Sequence, residues 1–373
     1  MNPSSRSAAP AGRLGAYLLI GATVVIIAAA FGYVGGWLAP HRLTPARLVN
    51  QLQTNSGVFP GYRRNHAKGV CVTGYFQSSG RAAPYSVAQV LAPAERTPVV
   101  GRFAIPGGNP YAPDDSVPIR SMALRFALAD GQQWRTGMND MPVFPVSTPQ
   151  AFYQMLQAQQ PDASSGKPDP RKLAAFFAAH PETTAFLAWV KTAKPSASFA
   201  TESYWSLDAF ELVDRHGRRH PVRWRMVAET AAGAPANAPA ASAGGAAGPA
   251  GSSDYLAADL RQRLAQAPLR WHLLITLAQA GDPTDDAARE WPADRRSVDA
   301  GTLVLTRTEP QQSGPCRDIN YDPLVLPHGI EASGDPLLPA RSAAYADSYL
   351  RRTSEEAHLP GTPSASTKPD SRS

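Results

Sequence analysis

Two cysteines, Cys71 and Cys316, are all that the 373 residues contain. No CxxC or CxxCH spacing exists, which disfavours thioredoxin-type exchange and covalent attachment of a c-type haem. In an oxidising compartment the two thiols could pair, but their positions alone do not decide it. Blocks of like charge are missing as well. The 36 Lys and Arg against 30 Asp and Glu leave a net +6 that is scattered along the chain, so no nucleic-acid footprint stands out. Such an excess suits anionic cofactor groups or an anionic membrane surface instead. Metal-ligand spacing is lacking, because His216 and His220 flank a turn with no third ligand. Hydrolase signatures are lacking too. Asp285/Asp286 and Glu355/Glu356 are sequence neighbours that cannot face each other across a cleft, and they read as solvated. Ser164-Ser165-Gly166 has no nucleophile-elbow context.

Charge is absent altogether from Leu14 to Pro40, whose core Leu18–Ala30 is rich in Leu, Ile, Val and Ala. About 26 residues exceed a signal-peptide core and are enough to span a bilayer with some tilt. Trp37 sits where an interfacial aromatic belongs. We expect an uncleaved transmembrane anchor over 14–40 behind a short tail, 1–13, with a cleaved signal as the alternative. Arg6 and Arg13 precede the segment while Arg42 and Arg47 follow it, so charge does not orient it. A short tail before a large domain favours export. The expectation is a single pass through an inner membrane, with the catalytic domain in the periplasm.

Hydrophobic residues make up 43% of the chain, enough for a sizeable core. Residues 230–253 are almost wholly Ala, Gly, Pro, Ser and Asn and read as a flexible insertion. Residues 356–373 read as a disordered tail. Between the anchor and the tail, 41–355 forms one domain. Strand periodicity marks Met122/Leu124/Phe126, Phe210/Leu212, Val222/Trp224/Met226, Trp271/Leu273/Ile275 and Leu303/Leu305. Helical patches intervene at Phe152/Met155/Leu156, Leu173–Ala179, Phe186/Trp189 and Leu256/Leu260/Leu264. The pattern predicts an α+β fold around an antiparallel barrel or strongly bent sheet.

Near the end of this domain, Asp335 as N-cap and Pro336 in the first turn predict a helix. Arg341, Tyr345 and Arg352 then fall at i, i+4 and i+11, within roughly 40° of one another on its face. A stripe of this kind is usually a solvated surface. An arginine one turn from a phenol also favours the phenolate, a hard anionic ligand for ferric iron. Far upstream His66 opens a predicted strand in which Gly69 and Gly74 remove side chains, as happens where a backbone or ligand approaches closely.

These segments resemble the haem catalases at four separated places. His66-Ala67-Lys68-Gly69 with Gly74-Tyr75-Phe76 is similar to the family's distal-histidine strand. Gly137-Met138-Asn139-Asp140-Met141-Pro142-Val143-Phe144 resembles the distal-asparagine motif, and Gly281-Asp282-Pro283-Thr284-Asp285 with Trp291-Pro292 a further signature. Pro327-His328-Gly329-Ile330-Glu331-Ala332-Ser333, leading into the Arg341/Tyr345 helix, looks like the proximal ligand segment. The motifs keep the family's order. With an N-terminal apolar segment and little chain after the last motif, the sequence looks like the smaller catalase-related peroxidases.

The resemblance implies an eight-stranded antiparallel β-barrel with surrounding helices, and haem b (iron protoporphyrin IX) as cofactor. Tyr345 would be the axial ligand to iron, with Arg341 beside it. Arg63, Arg102 and Arg352 would hold the propionates, which guanidinium meets bidentately. Phe144 and Phe152 would pack against the macrocycle. His66 would move the peroxide proton and Asn139 orient the peroxide. Arg63 and His66 are an odd number apart, so their joint use requires an irregular start to that strand. Two departures stand out. Ala104 follows Arg102-Phe103 where the family usually has a serine bonded to the distal histidine, and Asn65 takes a place usually apolar. Both lead us to expect reduction of hydrogen peroxide or organic hydroperoxides by an external donor, with weak catalase activity. Two other readings remain. Asn65 keeps open a hydroperoxide isomerase or dehydratase of the allene oxide synthase type. A non-enzymatic, membrane-tethered haem-binding protein would need Tyr345 but neither His66 nor Asn139.

Overall fold

The computed structural model describes residues 11–35, 38, 42–229 and 253–358. The expected tail before residue 11, nearly all of the 230–253 insertion and the stretch after 358 lie outside the described residues, as does Trp37. Helix α1 (Ala11–Val34) contains a 20-residue span, Gly15–Val34, of mean hydropathy 2.2. Helix α2 (Pro45–Ser56) follows, capped by Thr44, whose hydroxyl accepts from the Arg47 amide.

Eight strands then close a ring. They are β1 (Gly69–Ser78), β2 (Arg96–Ala104), β3 (Ser121–Ala127), β4 (Gln133–Asn139), β5 (Tyr204–Trp205), β7 (Arg219–Ala228), β8 (Leu269–Leu277) and β9 (Ser297–Pro310). Each is antiparallel to its neighbours, and the β7–β8 and β9–β1 ladders complete the barrel. Strand β6 (Phe210–Val213) pairs with the first half of β7 while β5 pairs with its second half. Together β5 and β6 are one strand broken at Leu207, which sits at φ 66°. Strand β10 (Ile330–Ala332) adds to the outside of β6.

Period-two alternation fills the barrel with aromatics. Phe126 stacks on Trp134 at 4.7 Å and Phe210 on Trp224 at 4.3 Å, and the Trp224 indole donates to the Thr136 hydroxyl. This interior is solid core, so any ligand site lies outside the wall. On the outer face of β1–β4 the register builds two short rows. One is Cys71–Arg102–Ala123–Gly137 and the other Gly69–Ala104–Ser121–Asn139. Most of these residues are small, which leaves a shallow floor. Helices α3 (Pro149–Ala158) and α7 (Leu337–His358) join α2 to cover it. Helix α4 (Pro170–Ala179) packs on α3, α5 (Thr184–Val190) lies near Met141 and Leu207, and α6 (Tyr255–Gln266) lays Leu256 and Leu260 into the barrel core beside β9.

Helix α7 starts at Leu337, just past the proline, and the Asp335 carboxylate accepts from the Leu337 amide at 2.9 Å. It runs beyond the expected limit of the domain because its last turns are held. Glu355 pairs with buried Arg64, and Glu356 lies 2.9 Å from Arg317. The expectation that these two carboxylates are merely solvated is corrected by those pairs.

The cysteines form a disulfide with Cα atoms 5.4 Å apart and a sequence separation of 245. Both are fully buried. A bridge closing so long a loop restricts the unfolded chain strongly. Replacing both cysteines with serine is expected to lower stability by about 2–5 kcal/mol. Calorimetry of the double variant checks this, and an unchanged Tm counts against it.

Candidate active site

Between the outer barrel wall and α2, α3 and α7 lies a cavity in which water centres can occupy about 210 Å³. All nine residues singled out from the sequence line it: Arg63, His66, Arg102, Asn139, Phe144, Phe152, Arg341, Tyr345 and Arg352. Side chains that are far apart in the chain therefore share one space.

Residues 63–68 precede β1, which begins at Gly69 rather than at His66. His66 has φ 53°, a left-handed conformation rare for a residue with a side chain. Asn65 holds it there. The Asn65 Oδ1 accepts from the His66 amide at 2.9 Å and from the Gly107 amide at 2.7 Å. This irregular backbone is what lets Arg63 and His66 enter one cavity despite their odd spacing. Gly69 is needed next to it, since a Cβ there would come within 2.6 Å of the Arg102 guanidinium carbon. Neither ring nitrogen of His66 has a hydrogen-bond partner among the described residues, and Nδ1 is buried. Burial, then the charges of Arg102, Arg341 and Arg63, push its pKa down to about 3. The imidazole is neutral at any ordinary pH.

Arg63, Arg102 and Arg352 make no ion pair with a carboxylate among the described residues. Arg63 donates to the carbonyls of Cys316, Arg317 and Ile319 at 3.0, 3.2 and 2.9 Å. Arg352 donates to the Arg317 carbonyl at 2.6 Å, and Arg102 to Ala67 O and Gln311 Oε1. Burial and the neighbouring Arg352 lower the Arg63 pKa to about 10, and Arg102 and Arg352 are lowered too, burial being the largest cause in each. So much positive charge, hydrogen-bonded only to neutral acceptors and with Glu356 and Asp318 acting on it from a distance, favours an anion with more than one charge. The disulfide fixes this arrangement. Cys71 stands beside Arg102 in the first outer row, and Cys316 opens the loop whose carbonyls face Arg63 and Arg352.

On α7, Arg341, Ala344, Tyr345, Ser348 and Arg352 line the cavity together, as the stripe predicts. The Arg341 guanidinium lies 5.9 Å from the Tyr345 ring centre and donates to the Gly137 carbonyl. It also ion-pairs with Asp208, whose side chain is 2% exposed. Burial opposes the Arg341 charge, but the Asp208 carboxylate and then Tyr345 outweigh it and hold that pKa up. The sequence reading missed Asp208. Its one signal was the break in alternation between Tyr204 and Phe210, where the backbone turns at Leu207. Also missed was Ser121, whose hydroxyl donates to Asn139 Oδ1 at 2.6 Å. Phe144 and Phe152 meet at 5.5 Å. The Gly281–Trp291 motif stands behind them. Its Asp282 pairs with Arg295, Trp291 donates to Pro283 O, and Ala287 O accepts from the Phe144 amide.

The catalase family model matches residues 45–362. A catalase-related peroxidase of Synechococcus elongatus is 37% identical over 327 residues, covering 88% of this chain and 94% of that relative. A second, from Mycolicibacterium paratuberculosis, is 30% identical over 312 residues, with 83% and 95% covered. Among solved structures, a bacterial catalase and catalase A from Saccharomyces cerevisiae each superpose with a TM-score of 0.66, at 21% and 19% identity. Both cover 79% of this chain, which spans only 58% and 62% of their lengths. At that identity they speak to the fold alone. The family match and the two peroxidase relatives together show that the chain belongs to the catalase family.

Proposed function

We propose that the protein is a haem-dependent peroxidase, reducing hydrogen peroxide or organic hydroperoxides with electrons from an external donor and dismutating peroxide only weakly. As a catalase-family enzyme it is an oxidoreductase, and the family implies a haem. The cavity's residues fit that group. Buried Arg102 and Arg352 and half-buried Arg63, none in a direct ion pair with a carboxylate among the described residues, suit two propionates, and the floor of small residues at Ala123 and Gly137 suits a flat macrocycle. Both cysteines are joined to each other, which supports the non-covalent haem b. Tyr345 would hold the iron, with the Arg341 guanidinium against its ring. Arg63, Arg102 and Arg352 would hold the propionates, with Phe144 and Phe152 against the ring. When bound, the haem supplies the two-electron redox centre at which the peroxide bond is cleaved.

The chain's own part is proton handling and orientation. Neutral His66 accepts the proton from one peroxide oxygen and returns it to the leaving oxygen. The Asn139 amide donates to the peroxide and fixes its direction. Helices α2, α3 and α7 keep bulk water out. The observation that carries this reading is the convergence of His66 and Tyr345 on one cavity with three guanidiniums that form no direct ion pair among the described residues. Asn65 is already engaged with two backbone amides, which weighs against the isomerase reading. A buried imidazole nitrogen without a partner is unfavourable for a protein that only carries haem. Helix α1 supports a single-pass anchor in an inner membrane with the domain in the periplasm, and the disulfide is in keeping with an oxidising compartment. A cleaved signal is the alternative for α1.

The test sets donor oxidation against oxygen evolution in haem-loaded protein. Donor oxidation is expected to dominate, because Ala104 offers His66 no hydroxyl. Ala104→Ser is expected to raise oxygen evolution about tenfold, the worth of one orienting hydrogen bond. Oxygen evolution outpacing donor oxidation in the unaltered protein would overturn the weak-catalase assignment.

A further inference from the structure

We propose that Ser121 is a positioning residue that decides which end of the Asn139 amide faces the cavity. The two ends of an asparagine amide are nearly alike in shape and opposite in chemistry, and a half-turn about the last torsion exchanges them. The inference rests on the role given to Asn139 above. That role needs the NH2 end. An inward carbonyl would compete with His66 for the peroxide proton and repel the oxygen lone pairs.

Nothing in the Asn139 backbone selects the NH2 end, but its neighbour across the ladder does. Ser121 and Asn139 are direct partners in the β3–β4 register, so the sheet fixes their separation. The Ser121 Oγ lies 2.6 Å from Asn139 Oδ1 and makes no other hydrogen bond among the described residues. A separation of 2.6 Å is that of an O–H···O bond and is short for N–H···O, so the hydroxyl donates to Oδ1 rather than accepting from Nδ2. The Asn139 Nδ2 has no protein partner among the described residues, and both side chains line the cavity. The next residue along the same outer row is Ala104, which offers the hydroxyl no competing acceptor. Ser121 is nearly buried, at 7% exposure, so water does not replace the bond freely.

The experiment uses the full chain, haem-loaded, as Ser121→Ala, Ser121→Thr, Asn139→Ala and the Ser121→Ala/Asn139→Ala double variant. Cyanide serves as a non-reacting probe whose outer nitrogen accepts a hydrogen bond where the peroxide oxygen would. Ser121→Ala is expected to lower kcat/KM for hydrogen peroxide about tenfold per haem and to weaken cyanide binding in parallel, with haem content unchanged. Ser121→Thr, which keeps the hydroxyl, is expected to restore both to within about twofold. In the Asn139→Ala background the serine change is expected to add nothing. A Ser121→Ala protein with unchanged kcat/KM and cyanide affinity, beside an impaired Asn139→Ala protein, overturns this proposal and spares the role of Asn139. An Asn139→Ala protein unaffected in both overturns that role itself. Should Ser121→Ala fail to fold, Ser121→Gly is read in its place.

Discussion

Tyr345→Phe is expected to yield a folded protein that has lost its ferric haem spectrum and, with it, roughly a thousandfold of its peroxide turnover, about 4 kcal/mol of transition-state stabilisation. Phenylalanine keeps the ring that packs on α7 and removes only the oxygen. The arginines proposed to hold the propionates would be left intact, so haem would still associate loosely. What would disappear is the proposed oxygen ligand in front of the Arg341–Asp208 pair. Arg341 lies against the Tyr345 ring and is itself anchored by Asp208. Haem titration followed by absorption, with donor oxidation on the same samples, checks the prediction. A variant that keeps the same spectrum and turnover would remove the ligand assignment.

The second large effect belongs to His66. His66→Ala is expected to cut turnover by about 10²–10⁴, the usual contribution of a positioned acid–base group, while haem content stays the same. Loss of turnover with retained haem also sets an enzyme apart from a haem carrier. A further consequence appears in the cofactor-free protein. The unfolded chain takes up a proton on this histidine below about 6.5, whereas the folded site resists until about 3. The folded state therefore binds fewer protons in that window and loses stability as pH falls through it. His66→Gln is expected to flatten the decline between those two values, read from thermal melts at several pH values. Equal slopes for both proteins would mean that the imidazole is not held neutral.

Strands and helices were legible where one face of an element is buried and the other is not. Strand β3 alternates from Met122 onward and was read as a strand, whereas β4, equally regular, was not, and the α7 stripe reads directly as the cavity-lining face. Motifs carried the rest, because the residues that meet in the cavity come from segments too far apart for spacing to relate them. Tertiary departures from local rules were not legible. Strand β5 has only two residues and no period of its own, yet the break after it delivers Asp208 to Arg341. Ser121 looks like an ordinary strand residue until the register sets it against Asn139. Glu355 reads as a polar terminal residue, and only the fold brings Arg64 to it. The carbonyls that receive Arg63 and Arg352 are backbone atoms, which no side-chain pattern announces.

The loop bearing those carbonyls is tied to the barrel by the Cys71–Cys316 bridge. While the two thiols remain reduced, Arg63 and Arg352 lack the rigid backing that aims them at a dianionic guest. Reduction of the bridge is therefore expected to weaken cofactor capture, read by haem titration of the reduced and oxidised protein.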